Sequence, residues 1–99
     1  MRVENMYSPR TGRKVVNQFV ITDDGKMTFQ SYSSMIVEVD YNNHTVTIGE
    51  DYDYSVTTGK YRHQFFTNWT VSELRPLADL NTLRNAMENG EFEGWKIVS

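Results

Sequence analysis

The sequence predicts an α+β fold: an antiparallel β-meander of about four strands, then two or three short helices and a C-terminal strand, with the helices packed on one sheet face. Two observations support this. Segments rich in β-branched or alternating apolar residues fill the first half, with turn-forming residues between them. Helix-capping residues and apolar residues spaced three to four apart follow residue 55. A chain of 99 residues predicts a single domain spanning 1–99.

The first two strands are predicted on either side of a hairpin turn. Residues 1–14 precede them as an irregular N-terminal arm that can be flexible, because the segment Ser-Pro-Arg-Thr-Gly favours turns. Residues 15–22 are rich in β-branched side chains and predict a strand. Residues 23–26, Asp-Asp-Gly-Lys, predict a tight turn because glycine adopts positive φ readily. Residues 27–32 then predict the returning strand.

The next two strands are predicted from alternation. Residues 35–41 alternate apolar and acidic side chains, which indicates a half-buried strand with an inner face of Met35, Val37, Val39 and Tyr41. Residues 42–44, Asn-Asn-His, predict a turn. Residues 45–48 predict a short fourth strand, with Val46 and Ile48 directed inward.

The second half of the chain predicts helices. A short helix is expected to carry Tyr61, Phe65 and Phe66 and to be capped by Ser55, Thr57 or Thr58. Residues 70–73, Thr-Val-Ser-Glu, fit a capping box. Asn81 is predicted to cap a last helix over 82–89, and Gly90 fits the left-handed position that ends helices. Residues 95–98 then predict the final strand.

Composition restricts the function. The absence of cysteine excludes a disulfide scaffold, a thiolate zinc site and cysteine catalysis. The two histidines, His44 and His63, belong to no recognised catalytic motif. No apolar run is long enough to span a membrane, and the first residues have no apolar signal core. We therefore expect a cytoplasmic, non-enzymatic protein that uses no metal ion or cofactor and contacts no membrane.

An acidic and aromatic loop is the first candidate binding site. Residues 23–56 contain seven acidic residues and one lysine, and three of these acids lie in a short stretch with two tyrosines: Glu50, Asp51, Tyr52, Asp53 and Tyr54. The carboxylates would enter a basic groove on a partner protein, with the tyrosines as anchors. The alternatives are an ordinary solvated loop or a site for a hard cation, although the spacing fails the EF-hand frame.

A basic and aromatic set is the second candidate, for nucleic acid: Arg10, Arg13, Lys14, Lys60, Tyr61 and Arg62. Cations contact phosphates while aromatic rings stack on bases, so this mixture suits a single strand. The alternatives are that the cations lie apart as solvated charge, and that Tyr61, with Phe65 and Phe66, belongs to the core or to a protein interface.

Four sequence blocks carry a resemblance to known proteins; they lie at residues 6–13, 16–19, 29–32 and 53–65. In order and spacing they resemble a group of small uncharacterised proteins from phages, plasmids and other mobile elements of low-GC Gram-positive bacteria. The resemblance implies no catalytic residues. It implies a mobile-element protein that binds a host macromolecule, such as an anti-CRISPR or anti-restriction inhibitor of a defence nuclease. Such a protein would act in the host cytoplasm as a monomer or a homodimer.

Overall fold

A computed structural model, which describes residues 1–99, contains one seven-stranded sheet. Its strands are β1 (Arg2–Tyr7), β2 (Lys14–Asp23), β3 (Lys26–Ser31), β4 (Ser34–Asp40), β5 (Thr45–Ile48), β6 (Glu91–Phe92) and β7 (Trp95–Val98). Strands β1 to β5 form an antiparallel meander, β7 lies parallel to β5, and β6 pairs with β7 at the edge. The predicted α+β meander with a C-terminal strand is therefore confirmed.

Helical segments fill the chain between β5 and β6. Helix α1 (Val56–Gln64) continues directly into a π-helical segment (Phe65–Trp69), and a 3₁₀ helix (Ser72–Ala78) leads to helix α2 (Leu80–Asn89). These segments pack on one sheet face, where Phe65 stacks on Phe29 of β3 with ring centroids 6.0 Å apart. They contribute to a core of 17 buried apolar residues that also includes Trp95 of β7.

Two predicted helix ends are confirmed and one cap is corrected. Ser55 caps α1, because its hydroxyl accepts a hydrogen bond from the Thr58 amide. Gly90 ends α2 in the left-handed conformation, with φ of 74°. Asp79 caps α2 in place of the predicted Asn81, which lies one residue inside the helix. Hydrogen bonds from the amide and hydroxyl of Thr82 lower the pKa of the Asp79 carboxyl.

The predicted capping box at residues 70–73 does not form. The Thr70 hydroxyl donates backward to the Phe66 carbonyl at 2.9 Å, and Val71 occupies the cap position of the 3₁₀ helix without a side-chain hydrogen bond. Glu73 instead accepts a hydrogen bond from the Trp95 indole nitrogen at 3.0 Å. Glu73 therefore binds the distant Trp95 side chain and not the backbone amide at the start of its own helix, which the capping-box spacing indicated.

Residues 1–14 are not the predicted irregular arm. Residues 2–7 form the edge strand β1, because their backbone pairs with β2 and Met6 is fully buried in the core. Residues 8–13 form a closed loop in which the Ser8 amide donates to the Arg13 carbonyl and the Gly12 amide donates to the Ser8 carbonyl, both at 2.8 Å. This segment is ordered by its pairing with β2. The pattern of residues within 1–14 does not by itself indicate that pairing.

A β-bulge changes the predicted inner face of β4. Phe29 pairs with Val37 but Gln30 pairs with Met35, so Ile36 is an extra residue between the two pairs. Ile36 enters the core, whereas Met35 is exposed. The prediction that Met35 faces inward was therefore wrong, while Val37 and Val39 are buried as expected.

Helix α1 contains a glycine that its packing does not require. A Cβ atom at Gly59 would lie 3.6 Å from the nearest side-chain atom, Nη2 of Arg62, which is ordinary contact. Because glycine in a helix interior is less favourable than alanine, Gly59→Ala is expected to raise the free energy of unfolding by about 0.5–1 kcal/mol. Urea denaturation measures this, and a lower free energy of unfolding would contradict the packing described here.

Candidate functional site

The acidic loop, residues 50–54, connects β5 to α1 and is built on two turns. The Tyr52 amide donates to the Gly49 carbonyl at 3.2 Å, and the Tyr54 amide donates to the Asp51 carbonyl at 3.1 Å. Gly49 itself is fixed to β4 by its amide, which donates to the Ile36 carbonyl at 2.8 Å. The loop thus follows β5, begins beside the bulge in β4 and ends at the cap of α1.

Two arginines from different helices hold the centre of this loop. Arg62 of α1 is only 4% exposed and donates to the Tyr52 carbonyl, with its Nη1 atom 3.5 Å from Oδ1 of Asp53. Its guanidinium lies 5.9 Å from the centroid of the Tyr52 ring. Arg84 of α2 contacts the other carboxylate oxygen of Asp53 at 2.8 Å and the Tyr52 hydroxyl at 3.3 Å. The charge of Asp53 is therefore neutralised within the protein.

The second arginine is itself stabilised by this contact. Its hydrogen bond with the Tyr52 hydroxyl, supported by the charge of Asp53, raises the pKa of the Arg84 guanidinium above its usual value. The contact therefore favours the charged form of Arg84. The sequence did not indicate this pair, because the two charges are 31 positions apart in the chain.

The five predicted partner-binding residues divide into two groups. Tyr52 and Asp53 are engaged by the arginines and serve to fix the loop. Glu50 and Tyr54 remain exposed, with Tyr54 79% exposed. Asp51 is half-buried and accepts a hydrogen bond from the Ser34 hydroxyl at 3.0 Å. The loop therefore presents Glu50, Asp51 and Tyr54 on a rigid base.

Asp51 and Tyr54 line a cavity of about 520 Å³ between the loop, the start of α1 and the β3–β4 hairpin. The other lining residues are Tyr32, Ile36 and five small hydroxyl residues: Ser31, Ser34, Ser55, Thr57 and Thr58. The wall thus offers seven hydroxyl groups and one carboxylate, and no basic side chain. Its volume lies in the range of ligand pockets, which is roughly 300–1,000 Å³.

Tyr32, at the rim of this cavity, adopts an unusual backbone conformation. It is the first residue of a two-residue hairpin loop, has φ of 55° and is 63% exposed. Glycine usually occupies such a position, because a side chain disfavours positive φ. Two hydrogen bonds of 2.7 Å hold it there, from its amide to the Asn17 carbonyl and from the Gln30 side chain to its carbonyl. Asp24 and Glu93, the first residues of two other two-residue hairpin loops, have φ of 51° and 50°, so this conformation belongs to the turn type.

The predicted nucleic-acid set divides into two buried and four exposed residues. Tyr61 and Arg62 are each 4% exposed, so neither can contact a nucleic acid at the surface without unpacking α1. The other four members, Arg10, Arg13, Lys14 and Lys60, are exposed and form no salt bridge. Tyr61 therefore belongs to the core, as one of the alternatives held.

A second concave surface lies beside the N-terminal loop. It has a volume of about 320 Å³ and is lined by Tyr7, Ser8, Pro9, Gln64, Asn68 and Trp69. The Gln64 side chain donates to the Tyr7 carbonyl at 2.8 Å and so joins α1 to the end of β1. Arg10 follows Pro9, the Arg13 carbonyl accepts from the Ser8 amide and Lys14 pairs with Tyr7, so the backbone of these three cations borders the groove.

The remaining titratable groups form no comparable cluster. His44 is exposed in its turn and lies edge-on to the Trp95 ring, with centroids 4.2 Å apart. No group of three histidine, aspartate or glutamate side chains is arranged to hold a metal ion. None of the helices is long and apolar enough to cross a membrane.

Comparison with known proteins identifies a family. No curated protein and no solved structure matches the chain. Residues 1–81 match DUF8033, a family of unknown function. The matched part contains the meander from β1 to β5, the acidic loop, the cavity and α1, and it ends at the first turn of α2. The chain therefore belongs to the DUF8033 family.

Proposed function

We propose that the protein is a non-enzymatic binding protein that engages a host protein through the acidic loop. One observation carries the proposal: Arg62 and Arg84 fix this loop while Glu50 and Tyr54 stay exposed. A loop that is ordered before binding loses little conformational entropy in the complex. Tyrosine is a frequent anchor of protein interfaces, and the acidic groups steer a basic partner toward it.

The class of target follows from charge and from the resemblance to mobile-element proteins. A negatively charged loop complements the basic groove in which a nuclease holds nucleic acid. Occupying that groove would inhibit the nuclease. The resemblance favours a host defence nuclease, which makes an anti-CRISPR or anti-restriction inhibitor in the bacterial cytoplasm the specific form of the proposal.

Affinity capture with matched charge variants tests this function. The wild-type protein, Glu50→Lys and Glu88→Lys are immobilised and exposed to nuclease-treated lysate of a Gram-positive host. Both glutamates are exposed, but Glu88 lies on α2 outside the acidic loop. We expect one host protein to be retained in stoichiometric amount by the wild type and by Glu88→Lys, and to bind Glu50→Lys at least tenfold more weakly. Equal retention by all three proteins would contradict the proposed surface.

Binding of single-stranded nucleic acid is a second candidate function, favoured by the unpaired cations beside the Tyr7–Trp69 groove. In this arrangement Arg10, Arg13 and Lys14 would contact phosphates, and Tyr7 or Trp69 would replace the buried Tyr61 as the stacking ring.

A salt titration of single-stranded DNA binding tests this second function. Each phosphate contact contributes about −0.7 to the slope of log K against log salt concentration. Arg10→Ala and Arg13→Ala are each expected to make the slope less steep by about that amount. Arg75→Ala, which removes an exposed arginine of the 3₁₀ helix, is the control. Absence of DNA binding at low salt would exclude this function.

A further inference from the structure

Asp51 contributes the single carboxylate of the 520 Å³ cavity, and no cation of the protein neutralises it. The Ser34 hydroxyl donates to Oδ2 at 3.0 Å, and Oδ1 has no hydrogen-bond partner. Its neighbour Asp53, two residues away, contacts both Arg62 and Arg84. The cavity therefore carries a net negative charge that a positively charged ligand would complement.

The walls around this carboxylate suit a planar cation. Tyr32 and Tyr54 both line the cavity and are largely exposed, so their ring faces are accessible. Aromatic faces attract cations, and the guanidinium group of arginine also stacks on them. The hydroxyl oxygens of Ser31, Ser34 and Thr57 add hydrogen-bond acceptors. A guanidinium supplies five N–H donors in one plane, more than an ammonium group can offer.

We propose that the cavity is an arginine pocket: the partner protein inserts an arginine side chain, whose guanidinium binds Asp51 and contacts Tyr32 and Tyr54. This inference rests on the proposed function and names the group that the acidic loop recognises.

An anion is the competing occupant. The first turn of α1 borders the cavity, and helix N-termini attract phosphate. Two features oppose it. The Ser55 hydroxyl already accepts the hydrogen bond of the Thr58 amide at 3.1 Å. The Asp51 carboxylate would repel a second negative charge in the same space.

An NMR titration with capped amino acids tests the pocket directly. Nα-acetyl-L-arginine amide and its neutral analogue Nα-acetyl-L-citrulline amide are added separately to the ¹⁵N-labelled full chain. We expect arginine to shift the amide signals of residues 31–36 and 51–58 saturably, with a dissociation constant on the order of millimolar. Citrulline, which has nearly the same shape without the charge, is expected to bind at least tenfold more weakly.

Asp51→Asn provides the matched variant. Asparagine keeps the shape of the side chain and an oxygen that accepts from Ser34, so the fold and the spectrum should be preserved. We expect the arginine derivative to bind this variant about tenfold more weakly. Asp23→Asn neutralises an exposed carboxylate at the end of β2 and is the control variant. It should bind the arginine derivative as tightly as the wild type does.

Four results would overturn the arginine pocket. They are equal binding of arginine and citrulline, tighter binding of Nα-acetyl-L-lysine amide or inorganic phosphate, shifts confined to another surface, and no saturable shift in the tens-of-millimolar range. Any of them, together with a captured partner that depends on Glu50, would leave the proposed function standing. Arginine binding without a captured partner would instead contradict the proposed function alone.

Discussion

Replacing Gly49 with alanine is expected to destabilise the fold by about 3 kcal/mol or more, the upper end of overpacking effects. A Cβ atom at Gly49 would lie 2.0 Å from the Met35 carbonyl oxygen and 3.1 Å from the carbon of that carbonyl. Both atoms belong to the backbone of the β4 bulge and cannot move independently. Because Ile36 and Asp51 lie on either side of this contact and both line the cavity, Gly49→Ala should also distort the pocket.

Urea denaturation and the arginine titration measure the two parts of this prediction. Gly59→Ala is the control, since it makes the same chemical change where the Cβ has room. We expect Gly49→Ala to unfold at lower urea concentration and to bind arginine more weakly, and Gly59→Ala to show neither loss. Wild-type stability of Gly49→Ala would mean that the loop and the bulge are not in contact as described.

Replacing Arg62 with alanine is expected to lower the free energy of unfolding by about 2–4 kcal/mol. The buried guanidinium donates to the Tyr52 carbonyl and contacts Asp53, and a hydrogen bond to a charged group contributes roughly 1.5–3 kcal/mol. The variant also loses the packing of the arginine stem. Without this support the acidic loop should become mobile, which amide hydrogen exchange of residues 50–54 detects.

Arg84→Ala is the matched control for Arg62, because both arginines contact Asp53. Arg84 is half exposed, so solvent screens its ion pair and replaces much of its contribution. Its removal is expected to destabilise the protein far less than the removal of Arg62. If the two variants were equally stable, the burial of Arg62 would not be what holds the loop.

The meander was predictable because its signals are local. The apolar residues of 35–41, the Asp-Asp-Gly-Lys turn and the Ser55 cap each indicate structure within a few residues, and the strand, the turn and the cap are all present. Strand β1 and the bulge at Ile36 were missed for the opposite reason. They depend on pairing with β2 and β3, and neither segment carries that information by itself.

The candidate site was predictable in composition and not in geometry. The cluster of acids and tyrosines at residues 50–54 is visible in the sequence, and the loop does border the cavity. The nucleic-acid hypothesis included Arg62 because it lies among cations and aromatic residues, whereas here it is buried, donates to the Tyr52 carbonyl and lies 3.5 Å from Oδ1 of Asp53. Tyr32 was predicted as the last residue of the strand 27–32, but β3 ends at Ser31 and Tyr32 turns with φ of 55°, a backbone conformation that tyrosine seldom adopts.

Amide hydrogen exchange of the protein, free and bound to its captured partner, tests the central claim that the acidic loop and its cavity form the binding surface. We predict slower exchange in the complex at residues 31–36 and 50–58, with residues 8–14 unchanged. Slower exchange confined to residues 7–14 and 64–69 would place the partner on the basic groove. That result would contradict the account.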